Sequence, residues 1–194
     1  MKVIGLTVGI GMGKSTAAAA FRRAGIPVFD ADASVHKLQS RGGRAVRVIE
    51  AAFPGTTVNG AVDRAALRRA VLGDPAALRR LEAILHPMVS QDERAFLARA
   101  RRAGRRIAVL DIPLFFETGG RDVDRVVVVS APRSVQMHRV RLRRKMSAAD
   151  VAAGSARQMP DAEKRRRADL VIRTGLSRFH ALRSLRRLIR ELRA

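Results

Sequence analysis

The sequence contains no cysteine, no tryptophan and no tyrosine. Without cysteine the chain can form neither a disulfide nor a thiolate metal site, which suits a reducing compartment, and we expect the cytoplasm. No apolar run approaches the roughly 18 residues that a membrane-spanning helix needs. Lys2 and the apolar run behind it resemble a secretory signal, but Lys14 interrupts that run. We therefore expect no association with membranes.

Acidic residues are also scarce, with 17 Asp and Glu against 39 Lys and Arg, which gives a formal net charge of +22. Such an excess indicates anionic ligands and raises the question of nucleic acid. Only five of the basic residues are Lys, a bias typical of a GC-rich genome, and aromatic residues that could stack on bases are few, with seven Phe. Anionic small-molecule substrates are therefore favoured over a nucleic-acid partner.

The length of 194 residues suffices for one hydrophobic core but is short for two independent domains. Hydrophobic residues make up 47% of the chain, as in ordinary soluble proteins. We expect one main domain with insertions, and a monomer.

The most informative stretch, residues 9–16, is rich in glycine and lies between an apolar run and an alanine-rich helix former. A buried strand, a glycine-rich turn and a helix in this order are typical of a phosphate-binding loop, whose N–H groups point at an anion. Lys14 can reach the outer phosphates of a nucleotide, and Ser15 offers a hydroxyl to Mg²⁺. The nucleotide-binding candidates are Gly11, Met12, Gly13, Lys14, Ser15 and Thr16.

The strict loop pattern has a glycine where this chain has Val8. If that position requires a backbone conformation that only glycine adopts easily, or the close approach of a phosphate, a β-branched residue costs about 1–3 kcal/mol. The alternative interpretation of the stretch is an ordinary surface turn between a strand and a helix.

Acidic residues follow two predicted strands. Residues 26–29 lead into Asp30 and Asp32, and residues 106–111 end at Asp111. Ligands of open α/β sheets bind beyond the carboxyl ends of the strands, so Asp32 is a candidate acceptor for a hydroxyl proton and Asp111 a candidate for Mg²⁺ and substrate. We expect that one of Asp30 and Asp32 simply caps the next helix.

The middle of the chain, residues 33–103, has a helical pattern in which Pro87 is expected to kink or split a long helix. His86 is a candidate substrate contact, with packing or capping as the alternative.

After Asp111 comes an apolar loop that either lines a pocket or packs on the core, and Glu117 at its end favours the pocket. The candidate contacts there are Pro113, Leu114, Phe116 and Glu117.

Basic residues follow the predicted strand 125–130. Gln136, Arg139 and Arg143 lie on one face of a helix, at i, i+3 and i+7, where the two arginines can meet phosphates. The alternative is a solvated basic face. Residues 137–159 are predicted to form a small lid, in which Ser147 and Asp150 make a helix-capping pattern.

Several stretches together resemble the dephospho-coenzyme A kinase family over nearly the whole chain. These are residues 5–7 leading into 11–16, residues 29–32, residues 62–64 with 81–87, residues 111–117, and residues 158–160 with Lys164 and 168–169. The chain departs from the usual family pattern at Val8, Ser90, Gly154 and the pair Arg173-Thr174.

The resemblance implies ATP- and Mg²⁺-dependent phosphorylation of the ribose 3′-hydroxyl of dephospho-coenzyme A. It also implies an α/β fold of the P-loop NTPase type, a three-layer sandwich around a five-stranded parallel sheet. The nucleotide-binding core would comprise residues 1–32, 104–136 and 160–194, with a helical coenzyme A-binding region at 33–103 and a lid at 137–159.

By the same resemblance Asp32 is the base or the orienter of the 3′-hydroxyl, and Lys14 and Arg139 complete the catalytic set. Ser15 and Asp111 would hold the metal, and Arg143 would bind ATP on the lid side. Two alternatives stay open: another small-molecule P-loop kinase, and a basic nucleic-acid-binding protein with a degenerate loop.

Overall fold

The computed structural model describes residues 1–120, 122–144 and 158–193, without the side chains of residues 142–144 and 178. The chain divides into two compact units, residues 1–29 with 99–194, and residues 30–98. Most of the predicted lid, residues 145–157, lies outside the described residues. That residues 33–103 bind coenzyme A and residues 137–159 form a lid stays a prediction.

Five strands form one sheet in the order β2-β5-β1-β6-β7. Strands β1, β5, β6 and β7 pair in parallel, and the predicted α/β fold with a five-stranded parallel sheet is confirmed. Two further strands, β3 and β4, make a short antiparallel pair within the second unit. The strands are β1 (Lys2–Val8), β2 (Val28–Asp30), β3 (Thr57–Val58), β4 (Ala61–Val62), β5 (Ile107–Asp111), β6 (Arg125–Ser130) and β7 (Leu170–Arg173).

The described helices are α1 (Lys14–Arg23), α2 (Ala31–Gln39), α3 (Val46–Ala52), α4 (Arg64–Val71), α5 (Pro75–Arg102), α6 (Arg133–Arg144), α7 (Asp161–Arg167) and α8 (Arg178–Arg193). Asp30 caps α2, since its carboxylate accepts the Ala33 N–H at 3.0 Å. The expectation that one acid of the pair caps this helix is therefore confirmed. None of these described helices is long and apolar enough to cross a bilayer.

The core of the first unit is built on the central strands. Every residue of β5 is buried, and so are six of the seven residues of β1, as expected of parallel strands that are covered on both faces. Ile4, Leu6 and Val109 are completely inaccessible to solvent, and Phe21 of α1 and Leu185 of α8 pack in the same cluster. This packing fixes the carboxyl ends of the strands, where the phosphate loop begins.

Helix α5 is not split at Pro87, which lies inside it. Proline has no N–H, so the carbonyl of Ala83 loses its helical donor, but Ala83 and Pro87 both lie on the exposed face. Leu81, Leu85 and Val89 are buried along the opposite face and continue past the proline. Packing of that apolar face keeps the helix continuous, so of the two expected effects the split does not occur, and the kink stays a prediction.

Candidate active site

The turn between β1 and α1 has the backbone of an anion-binding loop. Gly11 and Gly13 have φ angles of 73° and 102°, which side chains with a Cβ rarely adopt. Gly13 is the N-cap of α1, so N–H groups of the loop and of the first helical turn collect at one point. A Cβ on Gly11 would lie 2.6 Å from Cγ2 of Val140, which also excludes a side chain there.

Val8, the departure from the strict loop pattern, is the last residue of β1 and pairs with Val129 of β6. Its side chain is only 4% exposed and belongs to the core cluster. Among the described residues Asn59 is the only one other than glycine with a positive φ, so Val8 has no left-handed backbone. The backbone strain considered for a β-branched residue at this position is therefore absent.

Replacing Val8 by glycine is expected to destabilise the protein by about 2–4 kcal/mol, since it removes a buried side chain and adds backbone entropy to a strand. We expect no gain in nucleotide affinity. Urea unfolding and calorimetry with ADP measure the two effects. Val58→Gly, at a strand position that is 57% exposed, is the matched control and should cost about 1 kcal/mol or less. Tenfold tighter ADP binding by Val8→Gly would contradict the prediction.

Lys14 and Asp111 lie side by side at the carboxyl edge of the sheet. Lys14 is the first residue of α1, and its Nζ is 3.3 Å from Oδ1 of Asp111, the last residue of β5. Asp111 is 1% exposed, so its charge is buried beside this ammonium group. The structure thus brings together a candidate phosphate ligand and a candidate metal ligand.

The oxygen atoms at this point suit Mg²⁺, because Ser15 is exposed in the first turn of α1 and Asp111 supplies a carboxylate. Among the described residues no group of three or more His, Cys, Asp or Glu could hold a metal. Mg²⁺ usually takes one or two protein ligands and completes its shell with water and substrate phosphates, so two oxygen donors are enough for the fit.

The apolar loop after β5 is partly packed and partly accessible. Phe115 is buried and makes an edge-to-face contact with Phe116, whose ring centre lies 5.4 Å away. The Pro113 carbonyl accepts the Thr7 hydroxyl at 3.0 Å, while Leu114 is 37% exposed. The loop is therefore anchored on the sheet, and Leu114 and Phe116 keep surface for a ligand.

Glu117, at the end of this loop, is engaged by protein groups. Its Oε1 lies 2.8 Å from Nζ of Lys164 in α7 and accepts the Met159 N–H at 2.8 Å. Burial opposes ionisation of the Glu117 carboxyl, but the Lys164 ammonium and the Met159 N–H hold its pKa below the ordinary value. Glu117 thus joins the loop after β5 to α7, and its part in substrate binding stays a prediction.

Sequence reasoning gave Lys164 no role of its own, although its side chain is 1% exposed. A signal was available, because this chain uses Arg at most basic positions and has only five Lys. Lys164 and Lys14, two of those five, both lie beside buried or half-buried carboxylates. A compact ammonium fits such a site, whereas the guanidinium group of Arg is larger and planar.

Helix α6 contacts the phosphate loop through Gln136 and the loop after β7 through Arg139. The Gln136 amide donates to the Ile10 carbonyl at 2.8 Å. The guanidinium of Arg139 donates to Oγ1 and to the carbonyl oxygen of Thr174, at 3.0 and 2.7 Å. Arg139 is thus held by Thr174 in this structure, and the side chain of Arg143 lies outside the described residues.

A cleft of about 1060 Å³ opens beside the phosphate loop within the first unit. This volume is at the upper end of the range for sites that take small molecules. Its walls come from the phosphate loop, the start of α6, the residues before α7 and the loop after β7, and they include Gly9, Met12, Pro132, Gln136, Arg173 and Leu176.

Two predicted site residues belong to the second unit. Asp32 is exposed in the first turn of α2, two residues after β2 ends. His86 is exposed on α5. Both side chains are accessible to a ligand, and their parts in catalysis and substrate binding stay predictions.

Comparison with known proteins gives a family for this arrangement. A family model described as dephospho-CoA kinase matches residues 2–177. The chain belongs to the dephospho-CoA kinase family. A dephospho-CoA kinase from Mesorhizobium japonicum is 57% identical over 194 residues, which are 100% of this chain and 98% of that protein. One from Gluconobacter oxydans is 52% identical over 198 residues, covering 100% of this chain and 98% of that protein. The resemblance inferred from the motifs is confirmed.

Solved structures agree with the fold. A crystal structure of a Thermus thermophilus protein matches with a TM-score of 0.84 and 37% identity, over 98% of this chain and 97% of that one. A dephospho-CoA kinase from Campylobacter jejuni matches with a TM-score of 0.68 and 22% identity, over 98% and 97% of the two chains. The second match supports the fold alone.

Proposed function

We propose that the protein transfers the γ-phosphoryl group of ATP to the 3′-hydroxyl of the ribose of dephospho-coenzyme A. The products are coenzyme A and ADP, and the reaction is the last step of coenzyme A biosynthesis. The observation that carries this proposal is the similarity of the whole chain to relatives named dephospho-CoA kinase. The glycine-rich loop, with Lys14 beside Asp111, supplies the phosphate chemistry that the reaction needs.

The residues of the first unit would bind and orient the nucleotide. N–H groups of the loop and the Lys14 ammonium bind the phosphates, and the cleft beside Met12 takes the rest of the nucleotide. Ser15 and Asp111 would hold Mg²⁺, which neutralises charge on the phosphates when bound. Arg139, on release from Thr174, would add positive charge at the same place, together with Arg143.

Asp32 would accept the proton of the 3′-hydroxyl while the oxygen of that hydroxyl attacks the γ-phosphorus and ADP leaves. Residues 33–103, with His86, and the loop after β5 would bind dephospho-coenzyme A. The substrate contacts on that loop would be Pro113, Leu114, Phe116 and Glu117. We place the reaction in the cytoplasm and expect a monomer that binds no nucleic acid.

A coupled assay of ADP release, run with and without dephospho-coenzyme A, tests the proposal. ADP should appear only when the acceptor is present, and mass spectrometry should find coenzyme A phosphorylated at the 3′ position. Release of ADP with a different acceptor from a panel of nucleosides, nucleotides and sugars would favour another P-loop kinase. Salt-dependent binding of DNA or RNA without turnover would favour the nucleic-acid-binding alternative.

In the same assay Lys14→Met is expected to lower kcat by about 10²–10³, the usual cost of removing one group that stabilises charge in the transition state. Lys2→Met is the matched control, because Lys2 is an exposed residue at the opposite end of β1. It should change kcat by less than about twofold, since surface changes away from a site have small effects. A kcat for Lys14→Met near that of the control would contradict the role of Lys14.

A further inference from the structure

Two carbonyl groups of the phosphate loop are held by side chains from distant parts of the chain. The Ile10 carbonyl accepts the Gln136 amide at 2.8 Å, and the Met12 carbonyl accepts the Thr174 hydroxyl at 2.7 Å. Gln136 comes from α6, and Thr174 follows β7 directly. Both side chains are uncharged, so neither is suited to bind a phosphate strongly itself. We therefore ask what their hydrogen bonds do to the loop.

The geometry of the peptide bond gives these contacts a consequence. In a trans peptide the carbonyl and the N–H of the next residue point in opposite directions, and the described residues contain no cis bond. A donor that holds the Ile10 carbonyl on one side therefore turns the Gly11 N–H to the other side. The same holds for the Met12 carbonyl and the Gly13 N–H. Side chains outside the loop thus fix two of its peptide groups, the one between Ile10 and Gly11 and the one between Met12 and Gly13.

The two N–H groups are suited to an anion. Gly11 and Gly13 both have positive φ, and successive N–H groups in such a backbone converge on a concave site. Within the described part of the chain, neither N–H donates to a protein acceptor. The first turn of α1 begins at the next residue and adds its own N–H groups.

The surroundings of Thr174 decide which carbonyl accepts the hydrogen of its hydroxyl. Oγ1 of Thr174 is 2.7 Å from the Met12 carbonyl and 3.4 Å from the Ser130 carbonyl, and a hydroxyl has a single hydrogen to donate. Arg139 donates to the same Oγ1 at 3.0 Å and so occupies one of its lone pairs. The shorter distance assigns the hydrogen to Met12, and Thr174 is 5% exposed, so water does not compete strongly.

We propose that Gln136 and Thr174 are positioning residues of the phosphate loop. By holding the Ile10 and Met12 carbonyls they fix two peptide planes, so that the N–H groups of Gly11 and Gly13 are aligned for the nucleotide phosphates before binding. This inference rests on the proposed function only in taking a nucleotide as the ligand.

The test removes each donor and keeps its shape, with the variants Gln136→Met and Thr174→Val. Calorimetry with ADP and ligand-observed NMR with adenosine give the two dissociation constants. Each variant should bind ADP about 3- to 10-fold more weakly, the effect of losing the hydrogen bond to the loop carbonyl, with adenosine binding changed by less than about twofold. Thr174→Val also removes one acceptor of Arg139, whose bond to the Thr174 carbonyl oxygen does not depend on the hydroxyl. The selective loss for the phosphorylated ligand is the readout that a general loss of structure would not produce.

Two controls keep the result specific. Thr174→Ser retains the hydroxyl and should bind ADP within about twofold of the native chain, since the donor of the bond is kept. Thr57→Val removes a threonine hydroxyl that donates to Glu50 in the second unit and should leave ADP binding unchanged. Thermal unfolding of every variant confirms that the protein measured is folded.

The outcomes separate this inference from the proposed function. Native-like ADP binding by both Gln136→Met and Thr174→Val would overturn the inference, and so would a parallel loss of adenosine binding. Neither result would affect the proposed function if the native chain phosphorylates dephospho-coenzyme A. Selective loss of ADP binding in a protein that does not phosphorylate that acceptor would support the inference and overturn the function.

Discussion

Replacing Glu117 by alanine is expected to destabilise the protein by about 3–5 kcal/mol, the usual cost of breaking a buried ion pair from one side. The change leaves the ammonium of Lys164, which is 1% exposed, without the carboxylate that lies 2.8 Å from it. The Met159 N–H also loses its acceptor. For a chain of this size the loss corresponds to a fall in Tm of about 6–20 °C. Urea unfolding gives the free energy and calorimetry the temperature.

Two further variants make the result specific to the ion pair. Glu163→Ala removes a carboxylate from the same helix as Lys164, but the partner of Glu163 is the exposed Arg167, so the cost should be about 0–1 kcal/mol. The double variant Glu117→Ala with Lys164→Met removes both charges and should be more stable than Glu117→Ala alone. A single variant within about 1 kcal/mol of the native chain would show that the pair contributes no more than a surface ion pair does.

The ion pair between Glu117 and Lys164 should also affect how stability depends on pH. The pKa of Glu117 is lower in the folded protein than its ordinary value of 4.5. The unfolded chain therefore takes up this proton first as the pH falls, and the stability contributed by the carboxylate is lost as the pH falls through the folded pKa. The difference in unfolding free energy between the native chain and Glu117→Gln should be constant near neutral pH. It should begin to shrink below about pH 4.5, where the carboxyl of the unfolded chain takes up its proton, and the loss should be complete only below the lower pKa of the folded protein.

The sequence predicts the fold well where the signals are local. The strands β1, β5 and β6 are continuous apolar runs, which is the pattern of parallel strands covered on both faces. Asp63 and Asp74 mark the starts of α4 and α5, because their carboxylates accept N–H groups of the first helical turn. Each of these signals lies within a few residues of the feature that it predicts.

Pro87 shows where a local rule leaves the outcome open, since it allows either a kinked helix or two separate helices. The effect of proline on a helix is a property of one turn, and the sequence-based expectation used that turn alone. The helix is continuous because Leu81, Leu85 and Val89 form a buried face that extends over more than two turns. Tertiary packing of an amphipathic face contributes more to helix stability than the preference of one residue.

The candidate site also contains one contact that local signals predict and one that they do not. Lys14 follows the loop after β1, and Asp111 is the last residue of β5, so both are expected at the carboxyl edge of the sheet. Their charged atoms are 3.3 Å apart. The bond between Thr174 and Met12 joins residues 162 positions apart and depends on how β7 and the phosphate loop pack. No local pattern encodes such a contact, so the sequence shows Thr174 only as a departure from the family pattern.

Replacing Asp32 by asparagine is expected to lower kcat by about 10²–10⁴, the range for loss of a general base, with ADP affinity unchanged. Asparagine has nearly the same shape but cannot take the hydroxyl proton at neutral pH. Asp32 is exposed in the first turn of α2, so the loss of its favourable interaction with the helix dipole should cost only about 0.3–1 kcal/mol of stability. Steady-state kinetics with saturating ATP and dephospho-coenzyme A measure the effect.

Asp30→Asn is the matched control, since Asp30 lies two residues away and caps the same helix. Asparagine is as good a cap as aspartate, so this variant should keep the start of α2 and most of the activity. A loss of less than about tenfold for Asp32→Asn would be too small for general-base catalysis. Equal losses for the two variants would assign the effect to the start of α2 and its negative charge, whereas a loss confined to Asp32→Asn would identify the carboxylate that accepts the proton.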